Sequence, residues 1–478
     1  MLARRLAPLI AAAAALVAAP PALAAKDCPR GYRCTTVTVP LDRSGAMPGT
    51  LRLPVVAERS RQPLLLVLAG GPGQGAAAIA DAILPFFERI APGYRLATFD
   101  QRGTGATALR CPALQRAALT DLTVPPPGSV QACARRLGPQ RALYTTSASV
   151  EDLDAVRARL GAERTAISGT SYGTYVAERY ARAHPDRVSR LVLDSVVPQE
   201  NVDPLFAASM RRASVVLREL CADGACRPFT RAPVADLRRL VERVERRPIP
   251  VTVELDGRRL RAAIDGPALF DLSISLSSFF QRNLIDLVRG TSEALEDRPG
   301  ALRKLYRSVR QLQLATPSQL SWGLHTATLC EDLTLPWGTA ASPAEGRRAA
   351  VDAAVGAAPR GHFGVFGPST AARNGALVTC ERWAPVAVPP TPAPGPLPDV
   401  PILALAGTWD LSTPVEDARR EVARTPGAQL MVIPEGGHST LTALACARTA
   451  ARRFLRGRPT GDPCRGHRVE RPGGAAPG

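Results

Sequence analysis

Lysine is almost missing from this chain: of 478 residues only Lys26 and Lys304 are lysines, so nearly all of the formal charge of +18 is arginine, as a G+C-rich coding bias produces. The densest basic run, Arg211 to Arg261, interleaves Glu219, Asp223, Asp236, Glu242, Glu245, Glu254 and Asp256. Such mixing marks a solvated helical surface rather than a phosphate-binding groove, so no nucleic-acid partner is expected. The net charge is still compatible with attraction to an anionic envelope or to acidic peptides. Long apolar runs are lacking as well. Past the N-terminal leader no segment reaches ~18 uninterrupted apolar residues, so no membrane insertion of the mature chain is expected. Histidines are few, and no His/Cys/Asp spacing or C-x-x-C pair suggests a metal or redox site. No metal and no cofactor is expected, and there are no internal repeats.

What is present begins with an export leader at residues 1–24. Arg4 and Arg5 supply its positive start, Leu6 to Val17 its apolar stretch, and Ala22-Leu23-Ala24 a small-x-small cleavage site. Lys26-Asp27 before Cys28 spoils a lipoprotein-type processing site. The mature chain is therefore expected to be secreted or periplasmic, with its ten cysteines oxidised. Ten cysteines can pair in about 945 ways. Sequence neighbours suggest Cys28–Cys34, Cys111–Cys133, Cys221–Cys226, Cys330–Cys380 and Cys446–Cys464.

The densest chemical signal is Ile167-Ser168-Gly169-Thr170-Ser171-Tyr172-Gly173-Thr174. A short buried strand, Arg164-Thr165-Ala166-Ile167, precedes it, and the segment from Tyr175 to Ala181 has helical periodicity. A G-x-S-x-G between strand and helix is a turn so sharp that the central serine is strained and its hydroxyl exposed. Glycines flank it because a Cβ there would strike the neighbouring strand or helix. Two further strands follow late in the chain. Pro401 to Gly407 leads to Asp410, and Gln429 to Pro434 leads to His438, so both side chains fall just past strand C-termini. Ser171, Asp410 and His438 thus come in the order nucleophile, acid, base that this kind of site requires. The base takes the serine proton, and the carboxylate fixes the imidazole tautomer. Asp194, after the strand Arg190–Leu193, is a rival acid. His184 precedes a helix-ending turn, and His325, His362 and His467 have no chemical company in sequence.

A third strand, Pro63 to Leu68, ends in Ala69-Gly70-Gly71-Pro72-Gly73-Gln74-Gly75. A glycine loop there lets backbone N–H groups approach a developing oxyanion; Gly71 and Tyr172 are the candidate donors. Losing one such donor typically costs about 3–4 kcal/mol of transition-state stabilisation.

Gly70-Gly71-Pro72-Gly73, then Thr98-Phe99-Asp100-Gln101-Arg102-Gly103-Thr104-Gly105, then Gly169 to Gly173, resemble the prolyl iminopeptidase branch of the α/β-hydrolases. From Pro401 through His438 to Cys464 the chain is similar to the tripeptidyl-aminopeptidase-like ending of secreted bacterial members. The resemblance spans most of residues 35–465, least in the middle third. It implies a serine exopeptidase acting on peptides with a free N-terminus, with Ser171, Asp410 and His438 as triad and Gly71 and Tyr172 as oxyanion donors. The histidine that often precedes Gly-Gly-Pro-Gly is Ala69 here. An exopeptidase must also hold the substrate amine, which needs a carboxylate at a fixed distance from Ser171. Glu331 and Asp332, directly after Cys330, are the candidates.

The implied fold class is α/β: a doubly wound, mostly parallel α/β-hydrolase sheet with an inserted, mainly helical cap. A first part of the core covers 25–198, with strands near Thr36–Pro40, Leu51–Ala57 and Tyr94–Phe99. It also carries a helix Val150–Leu160 capped by Ser147 or Ser149. The cap covers 199–384, with helical stretches at Val234–Val244, Leu276–Leu287 and Leu302–Leu312 and one strand-like stretch at Ile249–Leu255. A stiff proline-rich linker spans 385–400. The second part of the core covers 401–464, and a disordered tail 465–478. Two other functions stay open: a carboxylesterase or lipase using the same triad, and a catalytically dead hydrolase fold that serves as a binding module.

Overall fold

The computed structural model describes residues 28–117, 119–255 and 257–470. The expected leader and residues 471–478 of the expected tail lie outside them. Among the described residues ten strands form two sheets. The large one has the order β1 (Tyr32–Pro40), β2 (Thr50–Glu58), β4 (Arg95–Phe99), β3 (Leu64–Leu68), β5 (Thr165–Thr170), β6 (Val188–Asp194), β9 (Ile402–Gly407) and β10 (Gln429–Ile433). β1 and β2 form an antiparallel hairpin, and β2 runs antiparallel to β4. From β4 to β10 every neighbour is parallel. The other sheet is an antiparallel hairpin of β7 (Ile249–Leu255) and β8 (Arg258–Ile264) inside the cap.

β3 shows why the centre of the large sheet forms where it does. Its five residues are Leu-Leu-Leu-Val-Leu and all are buried, as a parallel strand covered on both faces demands. Strand periodicity splits them. Leu64, Leu66 and Leu68 pack with Tyr175, Val176 and Tyr180 from the helix Tyr172–Ala183. Leu65 and Val67 pack on the opposite side with Leu84 and Phe87 of the helix Ala80–Ile90 and Phe454 of the helix Ala445–Leu455.

A separate apolar core holds the cap together. It joins the helices Ala207–Cys221, Pro233–Arg246, Gly266–Phe279, Leu284–Leu295, Gly300–Leu312 and Trp322–Asp332. Leu109, Leu114, Val130 and Leu137 belong to this core too. Residues 109–144 are thus a second, earlier contribution to the cap, although their place in the sequence assigns them to the sheet. The expected lone strand-like stretch at Ile249–Leu255 is half of the β7–β8 hairpin. The helix expected over 276–287 is broken: it stops at Phe279 and resumes at Leu284. The Ser278 carbonyl, which a continuous helix would use internally, accepts instead from the His438 amide at 2.7 Å. The helix expected to start after Ser147 or Ser149 spans Thr146–Arg159, and Thr145 caps it. The ten cysteines form five pairs joining the sequence neighbours named above. The proline-rich segment is laid along the core: Gln199 and Gly395 exchange two hydrogen bonds, at 2.8 and 3.0 Å. In the expected tail, the Val469 amide donates to Glu435 Oε2 at 2.8 Å, so the chain up to residue 470 is still packed on the protein.

Candidate active site

Ser171 sits between β5 and the helix Tyr172–Ala183 with φ +56° and ψ −127°, a backbone conformation that L residues rarely adopt. The flanking glycines are required by backbone, not by flexible side chains. A Cβ on Gly169 would lie 2.4 Å from the Gly173 carbonyl oxygen, and one on Gly173 would lie 2.7 Å from that of Leu68. The Ser171 amide donates to the Asp194 carbonyl at 2.9 Å, which ties the turn to the end of β6. The hydroxyl side faces a cavity of about 910 Å³ between sheet and cap, a volume suited to a peptide-sized ligand.

Asp410 and His438 meet across the ends of β9 and β10. His438 Nδ1 donates to Asp410 Oδ2 at 2.7 Å, and Thr413 Oγ1 donates to the same oxygen at 2.7 Å. Asp410 Oδ1 accepts from the amides of Ser412 at 2.8 Å and Thr413 at 3.1 Å, and from Ser278 Oγ at 3.2 Å. Burial by itself would raise the Asp410 pKa, but the imidazole and these donors outweigh it and hold it below the usual carboxylate range. Burial pulls the His438 imidazole down, and the Asp410 carboxylate more than reverses that, so its pKa ends above the ordinary histidine value. Ser278 comes from a cap helix, as does Phe279, whose ring meets that of His438 edge-on at 5.1 Å. The cap therefore packs directly on the Asp–His pair.

Ser171 and His438 line the same cavity, and no hydrogen bond joins the two side chains among the described residues. Such bonds are commonly long in ligand-free sites and tighten in the complex. Asp194 is otherwise engaged. Its two oxygens accept from the Thr440 amide and hydroxyl at 3.0 and 2.7 Å and from the Leu441 amide at 2.9 Å, capping the short helix just after His438. Gly71 and Tyr172 both border the cavity beside Ser171, and neither amide has an acceptor among the described residues. A Cβ on Gly70 would stand 3.1 Å from the Ser171 Cβ, so the glycine loop is pressed against the serine.

Glu331 and Asp332 are not at the cavity, which corrects their expected role at a substrate amine. They end the helix Trp322–Asp332 on its buried side. Asp332 Oδ2 accepts from the Thr146 amide at 2.9 Å and from the Thr146 hydroxyl, which in turn contacts the Tyr172 hydroxyl at 2.6 Å. Burial pushes Asp332 up to about 6 and Glu331 well above the usual carboxylate range. Among the described residues the carboxylates that do line the cavity are Asp121 and Asp271; the lining holds no lysine or arginine, and Arg310 acts on Asp271 from behind it. Sequence reasoning misses both. Asp121 lies in the unpatterned stretch after β4, and Asp271 sits in a mostly apolar helix; no motif marks either. His325, read as isolated, also lines the cavity and is bound to Asp121 at 2.6 Å.

Residues 63–220 match the model of the alpha/beta hydrolase fold, and residues 365–462 match that of TAP-like proteins. The tripeptidyl aminopeptidase of Streptomyces lividans is 32% identical over 217 residues, which are 39% of this chain and 40% of the relative. The probable proline iminopeptidase of Streptomyces coelicolor is 32% identical over 138 residues, 29% of this chain and 34% of the relative. The serine protease Hip1 of Mycobacterium tuberculosis is 27% identical over 208 residues, 39% of either chain. This chain thus spans well under half the length of each of these relatives. Among solved structures, a proline iminopeptidase-related protein from Thermus thermophilus aligns at 19% identity over 89% of this chain and 98% of its own, with a TM-score of 0.37. The parallel sheet, the strained serine turn at the end of β5 and the two matched models show that this chain has the alpha/beta hydrolase fold with a TAP-like C-terminal part.

Proposed function

We propose that this chain is an exported serine exopeptidase, of tripeptidyl or prolyl aminopeptidase type, that removes short peptides or single residues from free N-termini. Ser171 attacks the scissile carbonyl while His438 takes its proton, and Asp410 stabilises the resulting imidazolium. The Gly71 and Tyr172 amides receive the oxyanion. His438 then protonates the leaving amine, and water releases the acyl group by the same steps. Peptidase activity in the named relatives supports this reading, and the five cystines agree with an oxidising, extracytoplasmic setting.

The observation that carries it is the charge of the cavity. In a chain with 60 basic residues, the described lining contains Asp121 and Asp271 and not one lysine or arginine. Asp121 is paired with His325 through Oδ1 at 2.6 Å, yet its side chain stays 38% exposed, which leaves Oδ2 for a ligand cation. Asp271 is buried and accepts from Thr120 Oγ1 at 2.8 Å; burial raises its pKa, and an incoming ammonium would restore its charge. These two carboxylates take over the amine-binding role first given to Glu331 and Asp332. A carboxylesterase is the second reading, favoured by the apolar share of the lining, including Leu119, Phe206, Ile274 and Leu312.

One assay separates them. Purified mature protein is offered aminoacyl-, prolyl- and tripeptidyl-anilides, N-blocked versions of each, and short esters. Turnover of free-amine anilides alone is expected. Ester-only turnover would favour the esterase, and no turnover with no fluorophosphonate labelling of Ser171 would leave a binding module. Asp271→Asn is expected to raise KM for free-amine anilides by about tenfold while sparing small esters.

A further inference from the structure

The cavity contains a second histidine–carboxylate pair that the reaction above does not use. His325 lies in the first turn of the helix Trp322–Asp332, in the cap, and is 6% exposed. Its Nδ1 is 2.8 Å from the Pro72 carbonyl oxygen and its Nε2 is 2.6 Å from Asp121 Oδ1. Pro72 directly follows Gly71, the proposed oxyanion donor. Both partners are pure acceptors. An imidazole offers two N–H donors only when protonated, so this geometry calls for the imidazolium. The Trp322 ring, 4.5 Å from the His325 ring, suits a cation as well.

The same short cap segment grips the rest of the glycine loop. The Ser321 amide donates to the Gly73 carbonyl at 2.9 Å, and the Gly75 amide to the Gln319 carbonyl at 3.0 Å. A Cβ on Gly73 would come within 2.7 Å of the Ser321 oxygen, and one on Gly75 within 2.2 Å of the Ser318 oxygen. Backbone contact this close leaves His325 as the one titratable side chain in the grip. The charged groups on its other side are Asp121 from the loop after β4 and, behind that, Asp271 on the helix Gly266–Phe279 with Arg310 on the helix Gly300–Leu312.

We propose that His325 is a positioning residue for the oxyanion loop: held as an imidazolium between Asp121 and the Pro72 carbonyl, it fixes the Gly71 amide and makes that donor pH-sensitive. The inference rests on the hydrolase reading above. Burial disfavours the cation, but the Asp121 carboxylate overrides it and raises the His325 pKa. The sign follows. Below that pKa both bonds stand; above it one ring nitrogen presents a lone pair to a carboxylate or a carbonyl oxygen, and the grip on Pro72 loosens. A misplacement of about 1 Å at such a donor can cost about 100-fold in rate. Ordinary serine hydrolysis needs only a neutral His438 and reaches a plateau at alkaline pH, so a fall there is diagnostic.

The test uses the full mature chain and two probes without an amine, a short neutral ester and a neutral fluorophosphonate, so that substrate titration cannot intrude. Wild type is expected to lose kcat and labelling rate of Ser171 on the alkaline side. His325→Gln is expected to lower kcat 10- to 100-fold with KM within about twofold, and to abolish the alkaline fall. Asp121→Asn, which keeps the shape, is expected to move the alkaline fall to lower pH, and it carries the test should the Gln variant fail to fold. A wild-type profile flat at alkaline pH, or an alkaline fall unmoved in Asp121→Asn, overturns the proposal while leaving the hydrolase reading intact. So does a kcat in folded His325→Gln within twofold of wild type. A wild-type protein that neither turns over substrate nor is labelled refutes both together.

Discussion

Replacing Asp410 by asparagine tests which carboxylate serves His438, and the structure gives the size of the effect. Asp410 Oδ1 accepts from the two amides of Ser412 and Thr413, while Oδ2 accepts from His438 Nδ1 and Thr413 Oγ1. An asparagine has one oxygen for these two jobs. Two backbone N–H groups that cannot move away will hold that oxygen, which turns the NH2 toward His438. The ring must then accept at Nδ1 and carry its proton on Nε2, the nitrogen that should take the proton of Ser171. A wrong tautomer of this kind costs roughly 10⁴ in kcat, about 5.4 kcal/mol at about 1.36 kcal/mol per decade. Asp194→Asn is the control. Among the described residues the Asp194 carboxylate accepts only from Thr440, Leu441 and its neighbour Ser195, so its loss is expected to lower stability by about 1–3 kcal/mol. At a temperature where that variant is folded, its kcat should stay within tenfold of wild type. Steady-state kinetics on the preferred anilide, with circular dichroism to verify folding, reads both. If Asp410→Asn retains more than a tenth of wild-type kcat while folded Asp194→Asn loses several decades, the acid has been misassigned.

Further expectations concern titration, the core and the cap. The raised His438 pKa places the acidic limb of kcat/KM on a neutral ester above pH ~6.5, because a protonated imidazole cannot take the serine proton. Asp410→Asn should shift that limb to lower pH, and a limb that stays in place would contradict the pairing. Arg102 and Asp152 are both buried and joined through Nε at 2.7 Å and Nη2 at 2.8 Å, with Arg102 also donating to the Leu143 carbonyl. Arg102→Ala leaves that carboxylate with Arg43 alone, at 2.6 Å, and should cost about 1.5–3 kcal/mol in urea unfolding; a loss below about 1 kcal/mol would show the pair to be dispensable. The Cys330–Cys380 bond spans a sequence separation of 50 and ties two cap helices together. Closing a loop of that size is worth about 4 kcal/mol in the chain-entropy model, so the double alanine variant should melt several degrees lower. An unchanged melting temperature would remove the bond from the stability of the cap.

Much of the sheet could be read from residues alone, because each of its strands depends on its own composition. Leu64–Leu68 must be buried on both faces wherever it lies, and Gly169 is needed for a local reason, its contact with the Gly173 backbone, while Gly173 meets the Leu68 carbonyl on the neighbouring strand. The order Ser171, Asp410, His438 was visible for the same reason: each follows a strand and lies at its C-terminal end. The cap was legible only as helical stretches. Its helix ends are set by distant groups, as at Ser278, whose carbonyl goes to His438 instead of to the next turn. No periodicity records such a diversion.

Glu331 and Asp332 are kept from the cavity by their place on the helix as well as by the direction they face. Glu331 and Asp332 do lie on the cap helix nearest the glycine loop, but on its far, buried end, while His325 one turn into that helix faces the cavity. Which face of a helix meets a cavity depends on everything packed behind it. The sequence by itself determined the strand-based frame and the serine turn, because these follow from local burial and sterics. Only the tertiary structure decided which acids line the cavity, and that His325 reaches Pro72, because those relations join residues up to 253 positions apart through packing alone.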